Sequence, residues 1–141
     1  MSRRDLIFVH LADWIVGVWL FPSAVAMVVF VTLGQVIPSG DEIEFSPFVE
    51  GVLYFSVTLP ASIAYLYLLP KYWGKTIGLY SKDRTLIPYP SSDDGNHVLR
   101  TVISLAEIYP LPIIGVLTVL PRLDSRRLSD ALAGFMPIKD S

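Results

Sequence analysis

VEGVLYFSVTLPASIAYLYLL, residues Val49 to Leu69, decides the class of this chain. The segment has about the 20 residues that a helix needs to cross hydrocarbon, is rich in Tyr, Leu and Val, and is broken within by Pro60 and small hydroxyls. It runs into Pro70-Lys71-Tyr72-Trp73, a cation beside two aromatics, the composition that marks a return to the lipid headgroups. Read as a transmembrane helix, this stretch makes the chain an integral membrane protein.

The whole composition agrees. A chain of 141 residues that is 52% hydrophobic and 17% charged, with a mean hydropathy of +0.53, carries more apolar surface than a small water-soluble domain can bury. One domain covering residues 1–141 is expected. The net charge of -2 points neither to a nucleic-acid partner nor to a strongly basic surface binder. With no cysteine, disulfides, thiolate metal sites, cysteine nucleophiles and palmitoylation are excluded.

Outward from the deciding segment, the amino-terminal run from Leu6 to Ile37 has His10 and Asp13 as its ionisable side chains. As a helix it exceeds the roughly 30 Å of hydrocarbon, so it must tilt, kink or start in the interface. Pro22 predicts a kink, and Trp14 and Trp19 suit a membrane boundary. Arg3 and Arg4 before an apolar run, with Ala24-Val25-Ala26 beyond, imitate a secretory signal. The run continues through Val36 and carries Asp13, so a retained first span explains it better. Pro38 to Pro47 reads as a short acidic loop.

Residues 70–97 read as a polar loop holding Lys71, Lys75, Lys82 and Arg84, with turn chemistry from Pro88 to Asn96; Asp93-Asp94-Gly95-Asn96 is a turn and helix cap. The third apolar stretch, 98–120, contains Arg100 and Glu107 and is split by Pro110 and Pro112. Each half spans roughly 15 Å as helix and cannot cross alone. It is either a third full crossing or a re-entrant hairpin bent at Tyr109-Pro110-Leu111-Pro112. A basic tail, 121–141, holds a short amphipathic helix that stops at Gly134. The expected fold is thus an all-α membrane protein with two transmembrane helices, at about 6–37 and 49–69, and a Pro-broken third segment. Lys and Arg placement puts the amino terminus and the 70–97 loop in the cytoplasm of a cell-membrane protein, and the hairpin keeps the Arg-rich tail there as well.

Asp13 is the first residue with chemical interest. An ionised group within a span costs about 2.5 to 3.5 kcal/mol and needs protein, water or a cation as partner. His10 shares its face one turn earlier, and Gly17 and Ala24 continue that face as a stripe for close helix packing. Asp13, His10 and Glu107 are therefore candidates for handling a cation or a proton. The structural alternative pairs Asp13 with an arginine, Arg126 or Arg127, either of which also suits Asp130 or lipid headgroups. Arg100 and Glu107, seven apart, share a helix face; Arg100 otherwise snorkels to the interface. Gly74, Thr76 and Gly78 form a turn at the membrane exit and lack the spacing of a phosphate loop. No Ser-His-Asp set, zinc spacing or nucleotide fingerprint is visible, so neither an enzyme nor a cofactor or metal is expected. Expected partners are the lipid bilayer and a second copy or another membrane protein.

Three polar islands together resemble the RDD family of small membrane proteins. They are Leu11-Ala12-Asp13-Trp14-Ile15, Trp73-Gly74-Lys75-Thr76-Ile77-Gly78, and Arg126-Arg127-Leu128-Ser129-Asp130 with Ala133-Gly134. Leu6, Leu79 and Ser129 stand where the family pattern favours an arginine, a lysine and a histidine. The resemblance implies a multi-pass helical domain, with transport such as sodium-proton exchange suggested for some members.

Overall fold

The computed structural model describes residues 1–36, 45–89, 96–109, 111–119 and 126–141. Most of the expected acidic loop, the turn at 90–95, Pro110 and Arg122 lie outside those residues. Helix α1, Arg3–Trp14, starts in a capping box, with the Asp5 amide donating to the Ser2 hydroxyl at 3.1 Å and the Ser2 amide donating back to the Asp5 carboxylate. It continues through a π-helical turn, Ile15–Leu20, into α2, Phe21–Val36. Pro22 has no amide to offer the turn before it, and the widened turn absorbs that loss. Arg3–Gln35 is therefore one apolar span of 33 residues, where the sequence suggested a proline kink.

The π turn also moves the inward face. An extra residue in the turn rotates everything after it, so Gly17 is followed inward by Pro22 and Ala26. Ala24, expected to continue the Gly17 stripe, is exposed, because the expectation assumed an unbroken α-helical period.

Helix α3, Pro47–Trp73, is capped by Ser46 and opens with Pro47, which gives up an amide that would have had no partner. It ends where Gly74 turns left-handed at φ 76°, a conformation that costs glycine little. Its 27 residues, about 40 Å of helix, run a turn past the sequence boundary at Leu69. Among the described residues, two helices are thus long and apolar enough to cross a bilayer.

After Gly74 come a single turn of helix, α4 (Ile77–Tyr80), and strand β1 (Arg84–Pro88). The third apolar stretch is a bent pair, α5 (His97–Ile108) and α6 (Ile113–Val119), meeting at 101°. Asn96 caps α5 by accepting the Leu99 amide at 2.9 Å. The expected tail helix is α7, Leu128–Ala133, stopped by Gly134 at φ 80°, and strand β2, Phe135–Lys139, follows. β1 and β2 pair antiparallel, from Arg84 opposite Lys139 to Pro88 opposite Phe135. The small sheet is an addition to the expected all-helical architecture; the ribbon joins segments read as a loop and a tail.

The ribbon gathers several ends of the chain together. Leu86 donates its amide to the Gly74 carbonyl at 2.7 Å, Tyr89 to Gly134 at 2.9 Å and Asn96 to Ala133 at 3.0 Å. Lys82 reaches Asp5 at the start of α1, 3.1 Å away. The end of α3, the start of α5, α7, β2 and the start of α1 therefore lie at one end of the molecule. Tyr109, at the far end of α5, stacks edge-on to Phe55 in the first half of α3 at 6.3 Å.

Burial is inverted relative to a water-soluble protein. Helix α5 turns Arg100, Thr101, Ser104 and Glu107 inward and leaves Val98 and Val102 each 61% exposed. Phe48, Met27 and Val28 are exposed to a similar or greater degree on the long helices. In water this arrangement would strand apolar surface and bury charge; in hydrocarbon both preferences reverse.

Candidate functional site

Asp13 lies where the three polar islands meet. Its carboxylate is fully buried and accepts four hydrogen bonds. Tyr65 Oη donates to Oδ1 at 3.0 Å and the Gly78 amide to the same oxygen at 2.9 Å. Thr76 Oγ1 donates to Oδ2 at 2.7 Å, and Arg127 Nη1 lies 2.8 Å from that oxygen across 114 residues of sequence.

Each donor is placed by a local feature. Gly74 ends α3 and sends the chain back toward α1. Thr76 caps α4 by accepting the Leu79 amide at 3.4 Å while donating its own proton to Asp13. Gly78 must be glycine because a Cβ there would lie 2.6 Å from the Val9 carbonyl oxygen. The Tyr65 ring rests on Gly17, where a Cβ would come within 2.6 Å of it, and its hydroxyl also accepts the Ile77 amide at 3.1 Å.

Arg127 joins Asp13 to a second carboxylate. Its Nε is 3.5 Å from Asp130 Oδ2, and Arg100 Nε donates to Asp130 Oδ1 at 2.7 Å. All four side chains are buried. Burial pushes the Asp130 carboxyl up, but the Arg100 and Arg127 guanidiniums outweigh it and hold it below the usual carboxylate range. Burial likewise acts against the charge on Arg127, and Asp130, Asp13 and Glu107 reverse the effect and raise it. Both tail groups stay ionised through the neutral range. Arg126, the other arginine candidate, turns to the ribbon: its Nη1 donates to the Phe135 carbonyl at 3.3 Å and its guanidinium lies 5.5 Å from the Tyr89 ring centre.

His10 and Glu107 form the third part of the cluster. His10 Nε2 lies 3.6 Å from Glu107 Oε1, the two side chains being 0% and 1% exposed. Helix α6 covers them through Gly115, where a Cβ would lie 2.1 Å from His10 Cδ2. Among the described residues, no group of three or more His, Asp or Glu side chains is arranged to hold a metal ion. The sequence reading did not identify Tyr65 and Gly115 as parts of this site, because a tyrosine or a glycine inside an apolar run gives no signal until its neighbour is known.

The ribbon is fastened by Asp140, which accepts from Lys75 Nζ at 2.6 Å and from Thr85 Oγ1 at 2.5 Å. The Lys75 and Thr85 bonds hold its carboxyl below the ordinary value. A depressed carboxylate stabilises the fold above its unfolded pKa, and the contribution is lost as pH falls through the lower folded value. The β1–β2 amides are therefore expected to lose hydrogen-exchange protection as the pH drops below the usual carboxylate range of about 4. Asp140→Asn should flatten that dependence, and an unchanged acid profile in the variant would count against the clasp. No family model, curated protein or solved structure matches this chain.

Proposed function

We propose that this chain is a non-catalytic accessory or scaffold subunit of a membrane complex, built around an internal charge lock. The observation that carries this reading is the saturation of Asp13: four donors fill a carboxylate with no exposed surface. A carboxylate that serves an ion must offer it free lone pairs and a path, and Asp13 offers neither. The RDD-like reading draws support from the same point, since the three islands that carry the resemblance are hydrogen-bonded to one another. Its partner would be a second copy or another membrane protein set against the lipid-facing sides of α2 and α3.

In this reading α5 and α6 form a re-entrant hairpin. The contacts that favour it are Asn96 to Ala133 and Tyr89 to Gly134, which hold the entry to α5 beside the segment that follows α6. The amino terminus, the 74–89 segment and the tail then share the cytoplasmic side. Single cysteines at Ser39 and Ser141 in this cysteine-free chain should label from opposite sides of a cell-membrane vesicle. Same-side labelling would reject the hairpin.

A second reading, cation or proton handling, is favoured by the His10–Glu107 pair, whose ring nitrogens and carboxylate oxygens make no well-formed hydrogen bond among the described residues. Vesicle flux separates the two. Reconstituted protein is expected to add no sodium- or pH-driven flux to that of empty vesicles; a flux abolished in folded Asp13→Asn would overturn the scaffold reading.

A further inference from the structure

We propose that His10 and Glu107 form a proton-binding site whose occupancy decides how firmly the α5–α6 hairpin sits on α1. The inference goes beyond the scaffold reading and does not require transport.

Charge counting within the cluster is the first argument. Among the described residues, the buried groups of the cluster are two guanidiniums, Arg100 and Arg127, three carboxylates, Asp13, Asp130 and Glu107, and the His10 imidazole. With every carboxylate ionised and His10 neutral, these groups sum to one negative charge, in surroundings where an unpaired charge is costly. One proton on the pair brings the sum to zero. The other members are committed elsewhere: Asp13 to four donors, and Asp130 to Arg100 and Arg127.

Geometry supplies the second argument. His10 Nε2 and Glu107 Oε1 stand 3.6 Å apart, just beyond a hydrogen bond, the Ser129 hydroxyl faces the same carboxylate, and Ser104 Oγ is buried without a hydrogen-bond partner among the described residues. A proton shared by the pair gives the ring and the carboxylate a reason to close that distance. The charged groups that act on the pair come from α7: Arg127 on Glu107, and Asp130 with His10. Behind them stand Asp13 on α1, bonded to Arg127 and to the Tyr65 phenol of α3, and Arg100 on α5, bonded to Asp130; α6 brings Gly115 against the ring. Because His10 belongs to α1, Glu107 to α5 and the covering Gly115 to α6, the pair is the polar joint between the first span and the hairpin. Losing its proton leaves an unbalanced charge directly beneath α6.

The test is hydrogen exchange of the α6 amides in detergent or nanodiscs, read against pH with intrinsic base catalysis divided out. Wild type should lose α6 protection as pH rises, and Glu107→Gln, which removes the surplus charge, should show no such loss. Identical pH profiles in the two proteins would overturn the proposal. If Glu107→Gln does not fold, nitrogen NMR on histidine-labelled protein decides, since His10 and His97 are the chain's two histidines and His97→Gln assigns them. The His10 ring should change charge state over the same pH interval in which α6 loosens. A His10 that never titrates, or titrates with α6 unchanged, would reject the site.

Discussion

Asp13→Ala is expected to destabilise the folded chain by about 3–5 kcal/mol, the range found when one member of a buried ion pair is removed. The loss is large because Arg127 remains. With Asp13 gone, the guanidinium loses its 2.8 Å bond and is left with the 3.5 Å approach to Asp130 and the more distant charge of Glu107, and the Tyr65 hydroxyl, the Thr76 hydroxyl and the Gly78 amide lose their acceptor in the same step. Asp13→Asn should cost less, since its amide oxygen still accepts, but its NH2 group faces donors. The control is the double variant Asp13→Leu/Arg127→Leu, which removes both charges and should recover part of the deficit. Thermal unfolding in a single detergent reads all of these, and an Asp13→Ala protein that melts with wild type would remove Asp13 from the centre of the fold.

Gly78→Ala is expected to be the most damaging single-methyl change in the turn after α3. The added Cβ would stand 2.6 Å from a main-chain oxygen of α1 and 2.9 Å from Asp13 Oδ1. Neither atom can move freely, because Val9 is held in the helix and Asp13 by its donors. Overpacking of this kind costs about 1–3 kcal/mol, and here the displaced turn also takes the Gly78 amide away from the carboxylate. Gly51→Ala is the natural comparison, since nothing lies within 4 Å of a Cβ there. The two should differ in melting temperature by several degrees, and equal melting would mean that α4 does not approach α1 as described.

Much of this architecture was legible in the residues. Long apolar runs define the two spans because hydrocarbon admits few alternatives, and a charge inside a run must have a partner, which made Asp13 and an arginine of the tail natural companions. The choice of Arg127 over Arg126 was not legible. Adjacent residues point in different directions, and only the left-handed stop at Gly134 and the pairing of β2 fix which one turns inward. The pairing of Arg100 with Asp130 was missed for a similar reason, since it depends on how α5 and α7 sit against each other. Ala24 was misplaced because one π turn shifts the helical phase and leaves no clear mark in composition. The ribbon was missed because Thr85-Leu86-Ile87 is too short to display a strand period, and its partner lies some fifty residues further along.

The span between Asp13 and Arg127 has a consequence for biogenesis. A ribosome adding roughly 5–20 residues per second delivers the arginine several seconds or more after the aspartate has emerged. During that interval the first helix carries an unneutralised carboxylate at the bilayer, and only translation of the distal segment cancels it. Nascent chains halted before Arg127 are therefore expected to hold their first helix less firmly than the finished polypeptide does, so that the last segment to be made secures the first.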